Sequence, residues 1–182
     1  VEHFDVEPDI MVMAKGIADG FPLSATVARP EIADALRPGE HLSTFGGNPV
    51  SCAAAIANID VMLDERLAEE SARKGERTLA RLRELAERHP LIGDVRGLGL
   101  MIGVELVTDR ATKEPAKIQA AQVRRLCREA GVLVGVGGQS ANVIRFQPPL
   151  VIDEADLDHA VDVLDQTLAT VGRKPFSQRR AQ

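Results

Sequence analysis

The sequence has no tryptophan and no tyrosine among its 182 residues, an odd omission at this length. It starts at Val1 rather than at a methionine and enters a strand-like segment almost at once. Both features are expected of a piece of a longer protein. Cysteine is nearly as scarce: Cys52 and Cys127 lie far apart, each inside a helix-like pattern, with no CxxC pair. That spacing excludes the compact metal and redox motifs and leaves two buried free thiols in a reducing cytoplasm as the expectation. The histidines, His3, His41, His89 and His159, are scattered without ligand spacing, which argues against a metal site.

No apolar run approaches the roughly 20 residues of a bilayer-spanning helix, and no basic segment leads into an apolar one as in a secretory leader. Long blocks of one charge are missing before the tail, and the formal net charge is −5. Both argue against nucleic acid or an acidic membrane as partner. With 45% apolar and 27% charged residues, the balance is that of an ordinary soluble globular chain rather than a disordered one. The length is enough to bury a real core.

What is present reads as alternating strands and helices. Val6 to Ala14 closes in an apolar run, IMVMA, of the length of a buried strand, and Leu23 to Ala28 reads as a second strand after the turn-rich GIADGFP. Pro30 to Leu36 can make a short helix. Asn48 before Pro49 is a helix start, with asparagine as N-cap and proline at the first helical position. Small apolar residues from Val50 to Leu63 predict a helix buried on most sides, and an amphipathic helix follows from about Glu65 to Arg88. Val104–Val107, Val132–Val134 and Val143–Phe146 look like strands. A helix from about Ala116 to Ala130, closed by Gly131, lies between the first two. A last helix starts at Asp153 with a buried stripe of Leu157, Val161, Leu164 and Leu168. The expected organisation is residues 1–65 as the end of an α/β domain, 66–172 as a smaller α+β domain, and a disordered tail from 173 to 182.

Three places can carry chemistry. Lys15 ends the apolar run and precedes Gly16. It either snorkels its ammonium to water or is desolvated, with the lowered pKa that Schiff-base chemistry needs. The loop Ser43-Thr44-Phe45-Gly46-Gly47-Asn48-Pro49 joins hydroxyls and glycines to a helix N-terminus. It is either an anion site or a capping turn, and no Walker motif is present. Arg145 sits in the middle of an apolar strand in NVIRFQPPL, suited to a carboxylate or held in a structural ion pair. The run Gly97-Leu98-Gly99-Leu100-Met101-Ile102-Gly103 is discounted as a dinucleotide loop, because its third glycine falls one position late and no strand–helix context follows.

Four blocks in order, PDIMVMAKGIADGFPLSA, STFGGNPVSCAAA, VRGLGLMIGVEL and NVIRFQPPL, resemble the class III pyridoxal-phosphate-dependent aminotransferases of fold type I. The resemblance reaches to about residue 171, corresponds to the C-terminal half of a family member, and is nearest in wording to the alanine–glyoxylate aminotransferase 2-like branch. It implies an α/β fold made of the end of the large domain plus the α+β C-terminal small domain. It also implies pyridoxal 5'-phosphate as cofactor, amino acid and 2-oxo acid substrates with pyruvate or glyoxylate as acceptor, and a homodimer. Lys15 matches the lysine that binds the cofactor covalently through its amine and then moves the proton between substrate Cα and cofactor C4′. Thr44 matches the threonine whose hydroxyl and amide bind the cofactor phosphate, reaching across the dimer into the partner's site. Arg145 matches the arginine that receives the substrate carboxylate.

The family's aspartate for the pyridinium nitrogen, its glycine-rich phosphate turn and its stacking ring belong to a segment upstream of the lysine that this sequence does not contain. The chain by itself is therefore expected not to transaminate. Other readings stay open: an aminotransferase of the same class acting on acetylornithine, ornithine, 4-aminobutyrate or another ω-amine; a non-catalytic dimerising module; and, disfavoured by the glycine spacing, a nucleotide-binding α/β domain.

Overall fold

The computed structural model describes residues 1–172 and divides the chain into a first unit, Val1–Arg66, and a second that begins at Leu67. In the first unit, β1 (Ile10–Met13) pairs antiparallel with β2 (Ala25–Ala28), with Ile10 opposite Ala28 and Met13 opposite Ala25. The apolar run is not the buried strand its composition predicts. Met11 and Met13 are half-buried, while Ile10 is 52% and Val12 71% exposed, because a two-stranded ladder covers only one face. A single 3-10 turn, Lys15–Ile17, leaves β1. A short helix α1 spans Pro30–Ala33, and α2 spans Pro49–Asp64.

Helix α2 starts where the asparagine–proline pair dictates. The Asn48 side chain accepts a 2.9 Å hydrogen bond from the Ser51 amide and donates to the Phe45 carbonyl at 3.1 Å, while Pro49 occupies the first turn, where no amide is needed. The expectation that α2 is buried on most sides fails: only Ser51 and Ala55 are buried, and Val50, Ile56 and Leu63 are exposed. The elements of this unit offer too little apolar surface to wrap a helix all round.

The second unit has a real core. A four-stranded antiparallel sheet runs in the order β3 (Ile92–Leu98), β4 (Met101–Leu106), β6 (Val143–Phe146), β5 (Gly135–Gly137). Three helices, α3 (Leu67–Arg88), α4 (Lys117–Glu129) and α5 (Glu154–Gly172), accompany it. Alternation along the strands sends Ile102, Val104, Leu106, Ile144 and Phe146 to one face. There they pack with Leu79, Leu82 and Leu85 of α3, Ala120, Val123 and Cys127 of α4, and Val161, Leu164 and Leu168 of α5. The opposite face carries Asp94, Arg96, Met101, Gly103, Glu105 and Arg145. At the surface, α3 and α5 are joined by a ladder of ion pairs, Arg73–Glu154, Arg77–Asp158, Arg81–Asp162 and Arg88–Asp165, at 2.5 to 3.0 Å.

Two segments depart from the sequence reading. Val132–Val134 does not form a strand; β5 begins three residues later. The Val132 amide donates to the Cys127 carbonyl at 2.9 Å and the Gly131 amide to Arg128 at 3.1 Å, with Gly131 at φ +86°. That is a Schellman ending of α4, and it takes the amide that a ladder would need. The glycine run 97–103 is the β3–β4 hairpin, with Gly99 at φ +53° in the turn; β3 escapes sequence reading because Gly93, Asp94 and Gly97 are poor strand formers. Both cysteines are free, Cys127 buried and Cys52 only half-buried rather than buried as expected. The tail from 173 to 182 lies outside the described residues. Among the described residues no helix is long and apolar enough to cross a membrane, and no group of His, Cys, Asp and Glu could hold a metal ion.

Candidate cofactor and substrate sites

Lys15 is set by the way β1 ends. Ala14 is still extended, and Lys15 then turns to φ +56°, a left-handed conformation that costs a non-glycine residue about 1–3 kcal/mol. The turn is held from α2: Asn58 donates its side-chain amide to the Gly16 carbonyl at 2.8 Å and, longer, to the Ile17 carbonyl at 3.4 Å. A strained lysine kept in place by a separate element is not what a snorkelling surface residue requires. Lys15 is nevertheless exposed, not desolvated. It lines a cavity of about 480 Å³ whose other residues, among them Asp19, Phe21 and Leu23, all come from the same β1–β2 connection. Neighbours from one turn wall one side of an amine and leave the other to solvent. Its ammonium makes no ion pair among the described residues.

Thr44 stands on the loop before α2. It is exposed, and neither its hydroxyl nor its amide makes a hydrogen bond among the described residues. The loop is pinned behind it: Asn48 and Ser51 exchange hydrogen bonds, with Ser51 only 1% exposed, and Gly47 takes φ +66°, which glycine adopts without cost. The capping turn and the anion site are thus not alternatives. Asn48 does the capping, which leaves the Thr44 hydroxyl and the preceding amides available to a phosphate.

Arg145 lies on the open face of the second unit's sheet, opposite Gly103 of β4 and Gly135 of β5. It is exposed and makes no ion pair among the described residues, so no structural ion pair among them accounts for it. Arg96, in the same cross-strand row two strands away, takes both nearby acids, Asp94 at 2.5 Å and Glu105 at 2.7 Å. Arg145 borders a cavity of about 440 Å³ together with Val134, Gln147, Pro148 and Asp156. Lys15 and Thr44 belong to the first unit and Arg145 to the second.

The aminotransferase class-III family model matches residues 1–168. The chain belongs to the class-III aminotransferase family. It is 45% identical over 168 residues to alanine–glyoxylate aminotransferase 2 homolog 2, mitochondrial, of Arabidopsis thaliana, covering 92% of this chain and 35% of that protein. It is 43% identical over 169 residues to ethanolamine-phosphate phospho-lyase homolog 1 of Caenorhabditis elegans, covering 91% of this chain and 36% of that one. Among solved structures it is similar to an amine transaminase from an uncultivated Pseudomonas species in its PLP-bound form, at 36% identity and a TM-score of 0.86 over 94% of this chain and 40% of that one. The chain thus spans little more than a third of the length of the curated relatives it matches.

Class-III aminotransferases use pyridoxal phosphate, and the residues present fit that group as donors: a primary amine with no ion-pair partner among the described residues for its aldehyde, and the Thr44 hydroxyl and amide, with no hydrogen-bond partner there either, for its phosphate. Sequence reasoning missed Asn58, whose role becomes visible only when α2 folds back on the Lys15 turn, and the glycines of β5, which matter only through what lies on them. A polar residue inside the small apolar run Ala53–Ile59 of α2 was the available signal for Asn58.

Proposed function

We propose that this chain is the lysine-bearing part of a pyridoxal-phosphate-dependent aminotransferase that moves an amino group from an amino acid to a 2-oxo acid such as pyruvate or glyoxylate. The first unit is read as the end of the cofactor-binding large domain and the second as the small domain. The observation that carries the reading is Lys15, held at φ +56° by Asn58 and without an ion-pair partner among the described residues, within a sequence that matches the family over residues 1–168. When bound, pyridoxal phosphate withdraws electrons from the substrate and so stabilises negative charge at its Cα. Lys15 would hold the cofactor through its amine, and the same amine would serve as the base that carries a proton to and from the substrate Cα. Thr44 binds the phosphate, in the proposed homodimer that of the partner subunit. Arg145 receives the substrate carboxylate with its planar fork and so orients the Cα. That acid recognition favours an amino acid donor over a plain amine.

The test uses the full-length parent protein. It is supplied with pyridoxal phosphate and reduced with borohydride, and the modified peptide is mapped. Amino acid donors are then screened against pyruvate and glyoxylate. Label on Lys15, lost together with activity in Lys15→Ala, is the expected result; label on another lysine, or on none, would overturn the reading.

A further inference from the structure

The Arg145 side chain lies along β5, over two glycines. A Cβ built on Gly137 would stand 2.9 Å from Nε and 3.0 Å from Cδ of Arg145; one built on Gly135 would stand 3.2 Å from Nε and 3.3 Å from Nη2. Distances under 3.0 Å do not occur for real Cβ atoms, and those up to 3.4 Å oblige the neighbour to shift. The guanidinium can lie there only because β5 reads Gly-Val-Gly: Val136 turns its side chain to the core face, opposite Ile144, and the other face is bare backbone.

On the opposite side the arrangement differs. Gly103 of β4 is also without a side chain, yet the first atom its Cβ would meet belongs to Val143, at 3.1 Å, and no Arg145 atom comes within 4 Å. Arg145 therefore leans to β5 and away from β4. The acid that could draw it back is Glu105, paired with Val143 and so diagonal to Arg145, within reach of long side chains. Arg96 holds that carboxylate at 2.7 Å. The direction of Arg145 is thus set by shape on the β5 side and by the hold of Arg96 on Glu105 on the β4 side.

We propose that Gly137, together with Gly135, forms a side-chain-free bed that positions the Arg145 guanidinium and thereby sets the affinity for carboxylate-bearing substrates. This rests on the reading of Arg145 as the carboxylate receptor. A flexible arginine must surrender rotamer freedom when it grips a ligand, and one laid on a fixed bed has surrendered part of it beforehand. A methyl group at Gly137 lifts the side chain off β5 and turns it toward Glu105.

The experiment uses the full-length holoenzyme and the best amino acid donor from the screen above, with KM and kcat measured for Gly137→Ala, Gly135→Ala, Arg145→Ala and the double variant Gly137→Ala/Arg145→Ala. We expect KM for the amino acid to rise about tenfold in Gly137→Ala with kcat within about twofold, less than the roughly hundredfold that a full 1 Å misplacement can cost, because a flexible side chain can partly recover. Gly135→Ala, whose contacts are looser, should move KM in the same direction by about threefold, and it carries the test if Gly137→Ala does not fold. In the Arg145→Ala background Gly137→Ala should add nothing. If Arg145→Ala raises KM but neither glycine variant does, or if their effects add to that of Arg145→Ala, the bed is refuted and the carboxylate reading stands. If Arg145→Ala leaves KM unchanged, the carboxylate reading fails and the bed with it.

Discussion

Gly75, in the middle of α3, packs directly against the backbone of Gly99 in the β3–β4 hairpin, so closely that a methyl group at position 75 would overlap the Gly99 carbonyl. Beside it the Ser71 hydroxyl accepts a 3.0 Å hydrogen bond from the Leu100 amide. Helix propensity alone says that Gly75→Ala stabilises by about 1 kcal/mol. The overlap is with backbone, which cannot swing aside, and overpacking of that kind costs about 1–3 kcal/mol. We expect the second effect to win, with net destabilisation of up to about 2 kcal/mol; a raised urea midpoint for Gly75→Ala would contradict the packing.

Asn142 is 4% exposed and donates its side-chain amide to the Leu106 carbonyl at 2.8 Å. That carbonyl also accepts from the Ala116 amide at 3.0 Å, so losing the asparagine leaves it with a partner. Asn142→Ala should therefore cost about 1 kcal/mol, near the lower end for a buried hydrogen bond. Asn142→Asp should cost more, because a carboxylate cannot donate to the carbonyl it faces. Chemical denaturation of both variants gives the order.

Acid should loosen the α3–α5 seam. The hydrogen bond from Arg77 lowers the pKa of Asp158, and burial, which opposes it, does not cancel it. Burial pushes the Asp165 carboxyl up, but the hydrogen bonds from His89 and Arg88 outweigh it and leave the group below its ordinary value. A carboxylate with a depressed folded pKa contributes stability above its unfolded value, about 3.9, and loses it as pH falls through the folded one. Both side chains remain about a third exposed, so each is worth about 0.5–1 kcal/mol. Unfolding free energy measured from about pH 6 down to about pH 2 should fall less steeply in Asp158→Asn and Asp165→Asn than in the parent.

Asn58→Ala removes the hydrogen bond from α2 to the Gly16 carbonyl. An intramolecular hydrogen bond is worth about 1 kcal/mol, so the strained Lys15 geometry should become about fivefold less populated. The measurement is the fraction of Lys15 trapped by borohydride at a fixed, limiting cofactor concentration in the full-length protein. Unchanged trapping would show that β1 alone sets the lysine.

Thr44→Ala should weaken retention of pyridoxal phosphate by about ten- to a hundredfold, the worth of a hydrogen bond to a charged group. Thr44→Ser, which keeps the hydroxyl, should restore most of it. Equilibrium dialysis of the two variants separates the hydroxyl from the loop backbone.

The second unit was the more legible of the two because its periodicities are complete. Leu79, Leu82 and Leu85, and then Leu157, Val161, Leu164 and Leu168, repeat at helical spacing and are buried as that spacing requires. In the first unit the same kind of reading misled: IMVM and the small apolar residues of α2 are apolar enough to be buried, yet Val12 and Ile56 are exposed. Composition reports that a segment can be buried, while burial itself depends on what packs against it. The strand expected at Val132–Val134 failed for a different reason. A local helix ending took the Val132 amide, and no period of hydrophobicity carries that information.

By itself the sequence determined where Lys15, Thr44 and Arg145 fall, the Asn48–Pro49 start of α2, the stripes of α3 and α5, and the family. All of these are written in short-range patterns and ordered motifs. Tertiary structure alone decided that Asn58 grips the Lys15 turn, that Gly75 makes room for Gly99, and that Arg145 rests on Gly135 and Gly137 while Arg96 occupies the neighbouring acids. Those relations join residues distant along the chain, and they arise only when strand register and helix packing bring particular atoms within a few ångströms of one another.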